Sequence, residues 1–144
     1  MLVRQILGVK GGADVVAIDA GATAGDAARL LSEKRIGAVL IKGDGGAPAG
    51  ILSERDIVRE LGRRGESCLR DTVGEMMTRD LVSCAPDDTA DAVLTKMTEG
   101  RFRHMPVMED GSLAGLISIG DVVKARLSEL AMEKDALEGM IKGF

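Results

Sequence analysis

Apolar positions along the 144-residue chain follow two alternating rhythms, and the whole alternation occurs twice. A short β-rich run, Val15 to Ile18, ends at Asp19-Ala20-Gly21, and its counterpart Leu81 to Cys84 ends at Ala85-Pro86-Asp87-Asp88. Apolar residues then recur at helical spacing, Ala24, Ala27, Ala28 and Leu31 in the first copy and Ala90, Val93, Leu94 and Met97 in the second. Thr23 with Asp26 three residues on reads as a capping box, and Asp88 or Thr89 takes the same role in the second copy. The continuous runs Ala38-Val39-Leu40-Ile41 and Met105-Pro106-Val107-Met108 suit strands buried on both faces. Glycine-bearing turns lead each run back as a hairpin into Gly50-Ile51-Leu52-Ser53-Glu54-Arg55-Asp56 or Gly115-Leu116-Ile117-Ser118-Ile119-Gly120-Asp121. A helix begins near each aspartate. The pattern predicts an α/β (α+β) fold of two βαββα units, since an internal repeat fixes the architecture before any other feature does.

The segments outside the repeat fall into place around it. Val73-Gly74-Glu75-Met76-Met77-Thr78 reads as a short helix introducing the second copy, and Val3-Arg4-Gln5-Ile6-Leu7 holds the equivalent place before the first. We divide the chain into a first repeat over 3–62, a charged glycine-containing linker over 63–72, a second repeat over 73–130 and a helical extension over 131–144. Val123, Leu127, Leu130, Lys134, Leu137 and Ile141 share one side of the last helix, a stripe longer than one small domain covers. Pro106 lacks a backbone donor and is expected at a strand start or edge.

Composition narrows the class. Apolar residues are 45% of the chain, enough for a core, and Phe102 and Phe144 are its only aromatics, so the core is aliphatic and methionine-filled. The net charge of −4 and the lack of stacking aromatics argue against nucleic-acid binding. No apolar stretch approaches the roughly 20 residues that cross a bilayer. Met1 to Lys10 lacks the features of a signal peptide, so the expectation is a cytoplasmic protein with no membrane partner. Cys68 and Cys84 match no metal spacing and His104 is the sole histidine, so no metal site is expected and the cysteines read as reduced thiols.

This arrangement resembles a tandem pair of CBS domains, the regulatory repeats named after cystathionine beta-synthase. The match is carried by Val73-Gly74-Glu75-Met76-Met77-Thr78, by Arg103-His104-Met105-Pro106-Val107 and by the two phrases ending in Ser-x-x-Asp. It spans roughly residues 3 to 130. Ile36-Gly37-Ala38 and the ending Ser118-Ile119-Gly120-Asp121-Val122-Val123-Lys124 are similar to the small stand-alone bacterial members. The resemblance implies one Bateman-type module with pseudo-two-fold symmetry and two clefts between the repeats. It implies a bound adenosine derivative (AMP, ADP, ATP, S-adenosylmethionine or NAD) with no required cofactor. A homodimer forming a disc of four repeats is implied as well, together with a regulated protein that the sequence does not name.

Candidate site residues follow from the same resemblance. Asp56 and Asp121 match the family aspartate that accepts both ribose hydroxyls, a task suited to an acceptor-only carboxylate. The alternative for each is a plain helix N-terminal charge. Ser53 and Ser118 match the hydroxyl facing the phosphate end, although a serine there also serves as an N-cap. The family pattern groups Ala17, Ile18, Ile36 and Gly37 with His104, Ser118 and Asp121, and groups Ser83, Phe102 and Arg103 with Ser53 and Asp56. Thr23 and Met105 complete the candidate set. His104 stands where the family often carries a basic residue facing phosphate, and its counterpart is Ala38, so the two clefts are expected to differ.

Two other classes compete with a nucleotide sensor. One is an interaction scaffold whose clefts stay empty and whose last helix recruits a partner. The other is an enzyme, disfavoured because no nucleophile with an adjacent base accompanies the aspartates and no Gly-x-Gly-x-x-Gly follows a strand.

Overall fold

The computed structural model describes residues 1–10 and 15–142, and the chain divides into two compact units. Residues 11–14 of the expected first repeat and 143–144 of the expected extension lie outside the described residues. Elements run in the order α1 (Val3–Val9), β1 (Ala17–Ile18), α2 (Ala24–Lys34), β2 (Ala38–Lys42), β3 (Pro48–Ser53), α3 (Glu54–Arg64), α4 (Val73–Met76), α5 (Ala90–Gly100), β4 (His104–Glu109), β5 (Ser112–Ser118) and α6 (Ile119–Ile141). Mixed strands and helices in two copies are the expected α+β class.

The first unit carries the first copy. Its sheet has the order β1-β2-β3, with β1 parallel and β3 antiparallel to β2. Ala27, Leu31, Val39, Ile41, Leu52, Ile57, Val73 and Met77 form its core. Thr23 caps α2 through the expected box, accepting from the Asp26 N–H at 3.1 Å while the Asp26 carboxylate accepts from the Thr23 N–H. The segment expected as a linker is largely regular: α3 continues to Arg64, and Glu66–Arg70 forms a 3-10 helix that buries Cys68 completely. Arg64, paired with both Glu60 and Asp71, ties this turn to α3.

The second unit is built around β4, β5, α5 and α6, with Val3, Ile6, Val93, Met97, Met105, Val107, Ile117 and Val122 in its core. β4 and β5 turn through Asp110 and Gly111, whose φ values of 51° and 78° are the left-handed pair that a two-residue hairpin requires. Thr89 caps α5, accepting from the Ala92 N–H at 3.1 Å.

The helix that precedes each copy in sequence packs on the opposite copy. Within the first unit, α4 donates its Val73 and Gly74 N–H groups to the carbonyls of Ala22 and Ala20 at 2.7 and 3.0 Å. Within the second, α1 donates its Val3 and Arg4 N–H groups to Asp88 and Pro86 at 2.9 and 2.8 Å. Each helix start, which has no intrahelical partners, is thereby satisfied by a turn.

The expected strand Leu81–Cys84 is reduced to one parallel bridge, Cys84 to Val107. The cause is Pro106. In the first copy the Leu40 N–H donates to the Val16 carbonyl at 3.0 Å, extending the ladder. Pro106 occupies the equivalent position and has no N–H, so only the bonds from Cys84 to the Pro106 carbonyl and from Met108 to Cys84 form. The proline lies inside β4 rather than at its start, facing the side where the ladder is one bridge long. Val15 and Val16 likewise fall outside β1.

Candidate functional site

The two Ser-x-x-Asp phrases fold into matched capping boxes. Ser53 caps α3, its Oγ accepting from the Asp56 N–H at 3.2 Å while Asp56 Oδ2 accepts from the Ser53 N–H at 2.9 Å. Ser118 caps α6 with the same two distances. β3 and β5 lead directly into these helices, so a β-extended serine at the junction sets the aspartate on the first helical turn. Each strand entrance lies beside its own copy's box. The Gly37 carbonyl accepts from the Glu54 N–H at 2.9 Å, and the Arg103 carbonyl accepts from the Ile119 N–H at 2.8 Å. The backbone of each strand entrance is thus bonded within its own copy. The reason is local: a hairpin whose return strand runs into a helix puts its opening beside that helix start.

Charge separates the two boxes. Asp56 pairs with the exposed Arg59 of its own helix at 3.3 Å. Asp121 meets the Lys10 ammonium at 2.8 Å, and the same nitrogen donates to the Leu116 carbonyl at 2.8 Å. Partial burial pushes the Asp121 carboxyl up, but Lys10 and the Ser118 bonds outweigh it and hold the carboxyl below its ordinary value. A small cleft of about 170 Å³ opens here, lined by Ile6, Val9, Lys10, Asp121, Lys124 and Ser128. Lys10 was not a sequence candidate, and no local signal marks it, since it stands 111 positions from its partner.

The remaining candidates are placed as follows. Thr23 spends its hydroxyl on the α2 cap. Ala17 and Ile18 lie on β1. Ile36 and Gly37 follow the left-handed Arg35 that ends α2 and line a groove of about 490 Å³ between α2 and α3. Ser83 is exposed just before the Cys84 bridge, and half-buried His104 opens β4. The Met105 side chain is fully buried in the second core. Phe102 packs on that core over Gly100, where a Cβ would stand 2.2 Å from the ring.

A second glycine role was missed by the sequence reading. The glycine opening each closing phrase receives a side chain from the opposite copy's introducing helix. A Cβ at Gly50 would meet the Met77 sulfur at 2.5 Å, and one at Gly115 would meet a Leu7 methyl at 2.8 Å. The repeated phrase begins with glycine because the helix packs there.

Fold and boxes together define a tandem-repeat protein in which each repeat presents a helix N-terminus with an aspartate held in a capping box. The CBS domain family matches residues 10–63 and again 73–128, and the chain belongs to that family. A crystal structure of a CBS-domain containing protein from Agrobacterium tumefaciens is 44% identical and superposes with a TM-score of 0.83, covering 88% of this chain and 99% of that one. A CBS domain protein from Pyrobaculum aerophilum, solved in complex with AMP, is 25% identical with a TM-score of 0.76, covering 92% and 99%. A mitochondrial CBS domain-containing protein of Arabidopsis thaliana is 34% identical over 122 residues, and the match spans 82% of this chain but 59% of the plant protein. Among the described residues, no helix is long and apolar enough to cross a membrane.

Proposed function

We propose that this chain is a regulatory module that binds an adenosine-containing nucleotide, AMP, ADP, ATP or NAD, and relays occupancy to a partner without catalysing a reaction. The observation that carries this reading is the pair of capping boxes. In each, the serine N–H holds one oxygen of an aspartate on the first turn of a helix, at 2.9 Å. A carboxylate so oriented suits two vicinal ribose hydroxyls, and the adjacent helix start suits an anion. The AMP complex of the Pyrobaculum relative supports the ligand class. Ser53 with Asp56 and Ser118 with Asp121 are the proposed ribose and phosphate groups, assisted by Ala17, Ile18, Ile36, Gly37, Ser83, Arg103 and His104.

Thermal unfolding with AMP, ADP, ATP, NAD and S-adenosylmethionine tests the reading. A ligand at 100 times its dissociation constant adds about 2.7 kcal/mol to stability. Asp56→Asn and Asp121→Asn keep the side-chain shape while removing the charge, and the variant that loses the shift assigns the box. Unchanged melting with every nucleotide would sink the proposal.

A further inference from the structure

The two boxes differ in what already occupies their carboxylates. At the first, Asp56 Oδ2 accepts from the Ser53 N–H at 2.9 Å and from the Ser53 hydroxyl at 3.0 Å. That hydroxyl can turn its hydrogen away while its oxygen goes on capping the helix. Asp56 Oδ1 faces Arg59 at 3.3 Å, a side chain 67% exposed that water replaces at little cost. At the second box, Asp121 Oδ2 accepts from the Ser118 N–H at 2.9 Å and from the Lys10 ammonium at 2.8 Å. Lys10 is only 29% exposed, and its bond to the Leu116 carbonyl at 2.8 Å anchors it to β5. A carboxylate oxygen offers about two lone-pair sites, so Asp121 Oδ2 is full. Two vicinal hydroxyls that take one oxygen each must displace the ammonium.

We propose that Lys10 is a specificity-determining latch on the second box, occupying the hydroxyl position on Asp121 and yielding it only to a ligand that brings an anion of its own. This rests on the nucleotide reading above. A neutral nucleoside that takes Asp121 strands the ammonium in a partly buried cleft, and a charge deprived of its partner there is costly. A phosphorylated ligand removes one partner and supplies another. The charged side chains lining the cleft are Lys10, Lys124 and Asp121, so positive charge is in excess where the ligand's anion would sit. The first box has no latch, because Arg59 returns to solvent whatever charge the ligand carries. The second box therefore selects nucleotides over nucleosides, and the first does not select through its cation.

Calorimetric titration of Asp56→Asn, in which only the second box keeps its carboxylate, with adenosine and its 5′ mono-, di- and triphosphates tests the latch. Adding Lys10→Met should tighten adenosine binding about two- to fivefold, the equivalent of a partly exposed ion pair. Binding of the phosphorylated forms should move by less than about twofold, since one charged contact is exchanged for another. Lys10→Arg should keep the parent's preference for the phosphorylated forms. Lys10→Gln, which retains the stem, supplies the same comparison should Lys10→Met fail to fold. A lysine that merely attracts phosphate gives the opposite pattern, phosphorylated ligands weakened and adenosine unmoved, and that result overturns the latch. An unchanged ratio of the two affinities also overturns it. If Asp121→Asn binds a nucleotide and Asp56→Asn binds none, the latch fails while the nucleotide reading stands. If neither chain binds any of them, the reading fails and the latch falls with it.

Discussion

The Lys10 ammonium lies 2.8 Å from Asp121 Oδ2 and 2.8 Å from the Leu116 carbonyl oxygen, so one side chain joins the end of α1 to both β5 and the cap of α6. Asp56 has no such clamp from α4, and its ion-pair partner is the exposed Arg59. Two nearly identical phrases thus differ in how their carboxylates are held.

Lys10→Met should expose this difference. The folded Asp121 carboxyl is held below its ordinary value, so its contribution to stability is present above about pH 4 and is lost as pH falls through the folded value. Without Lys10 that contribution shrinks. At neutral pH the variant should lose about 0.5–1 kcal/mol, the range for a partly exposed pair. Its acid limb below about pH 4 should be shallower than that of the parent, as followed by urea unfolding at each pH. Identical acid limbs would remove Lys10 as the cause.

Gly50→Ala should destabilise more than Gly115→Ala. At Gly50 the added Cβ meets the Thr78 carbonyl at 2.8 Å as well as the Met77 sulfur, and backbone cannot swing aside. At Gly115 it meets only the end of the Leu7 side chain. Losses of about 1–3 kcal/mol and under about 1.5 kcal/mol are expected, as for overpacked and adaptable sites respectively. Reversal of that order in chemical denaturation would contradict the packing account.

Pro106→Leu restores the donor that Leu40 supplies in the first copy. The new N–H should bond the Val82 carbonyl, extending the Cys84 bridge into a ladder. The net stability change should be small, because a gain of about 1 kcal/mol from the bond is offset by the freer unfolded chain. Amide exchange is the decisive readout: residue 106 should be protected to the level of Leu40, and rapid exchange there would refute the assignment.

Cys84 should resist alkylation. Burial pushes its thiol up to about 11, with the Asp88 charge adding to the effect, so almost no thiolate exists at neutral pH. Iodoacetamide should label Cys84 only after denaturation. Labelling of the folded protein at the rate of a free thiol would show that the second core opens readily.

Most of the fold was legible because each copy spells its own secondary structure. The helical spacing of Ala24, Ala27 and Leu31, the threonine caps and the glycine turns are local signals, and the elements they predict are present. The Ser-x-x-Asp boxes were legible for the same reason, since a cap and its third residue are close in sequence. The shortened strand before Cys84 was less so. Pro106 was visible as a missing donor, but which carbonyl it would leave unbonded depends on strand register.

The sequence by itself determined the helices, hairpins and caps of both copies and where those helices begin, because periodicity, caps and turns act over a few residues. Tertiary structure decided that α1 packs on the second copy and α4 on the first, that Gly50 and Gly115 receive Met77 and Leu7, and that Lys10 clamps Asp121. Those relationships join residues far apart along the chain. Nothing in local composition can specify which distant lysine meets which carboxylate; only the packed backbone brings them within hydrogen-bond reach.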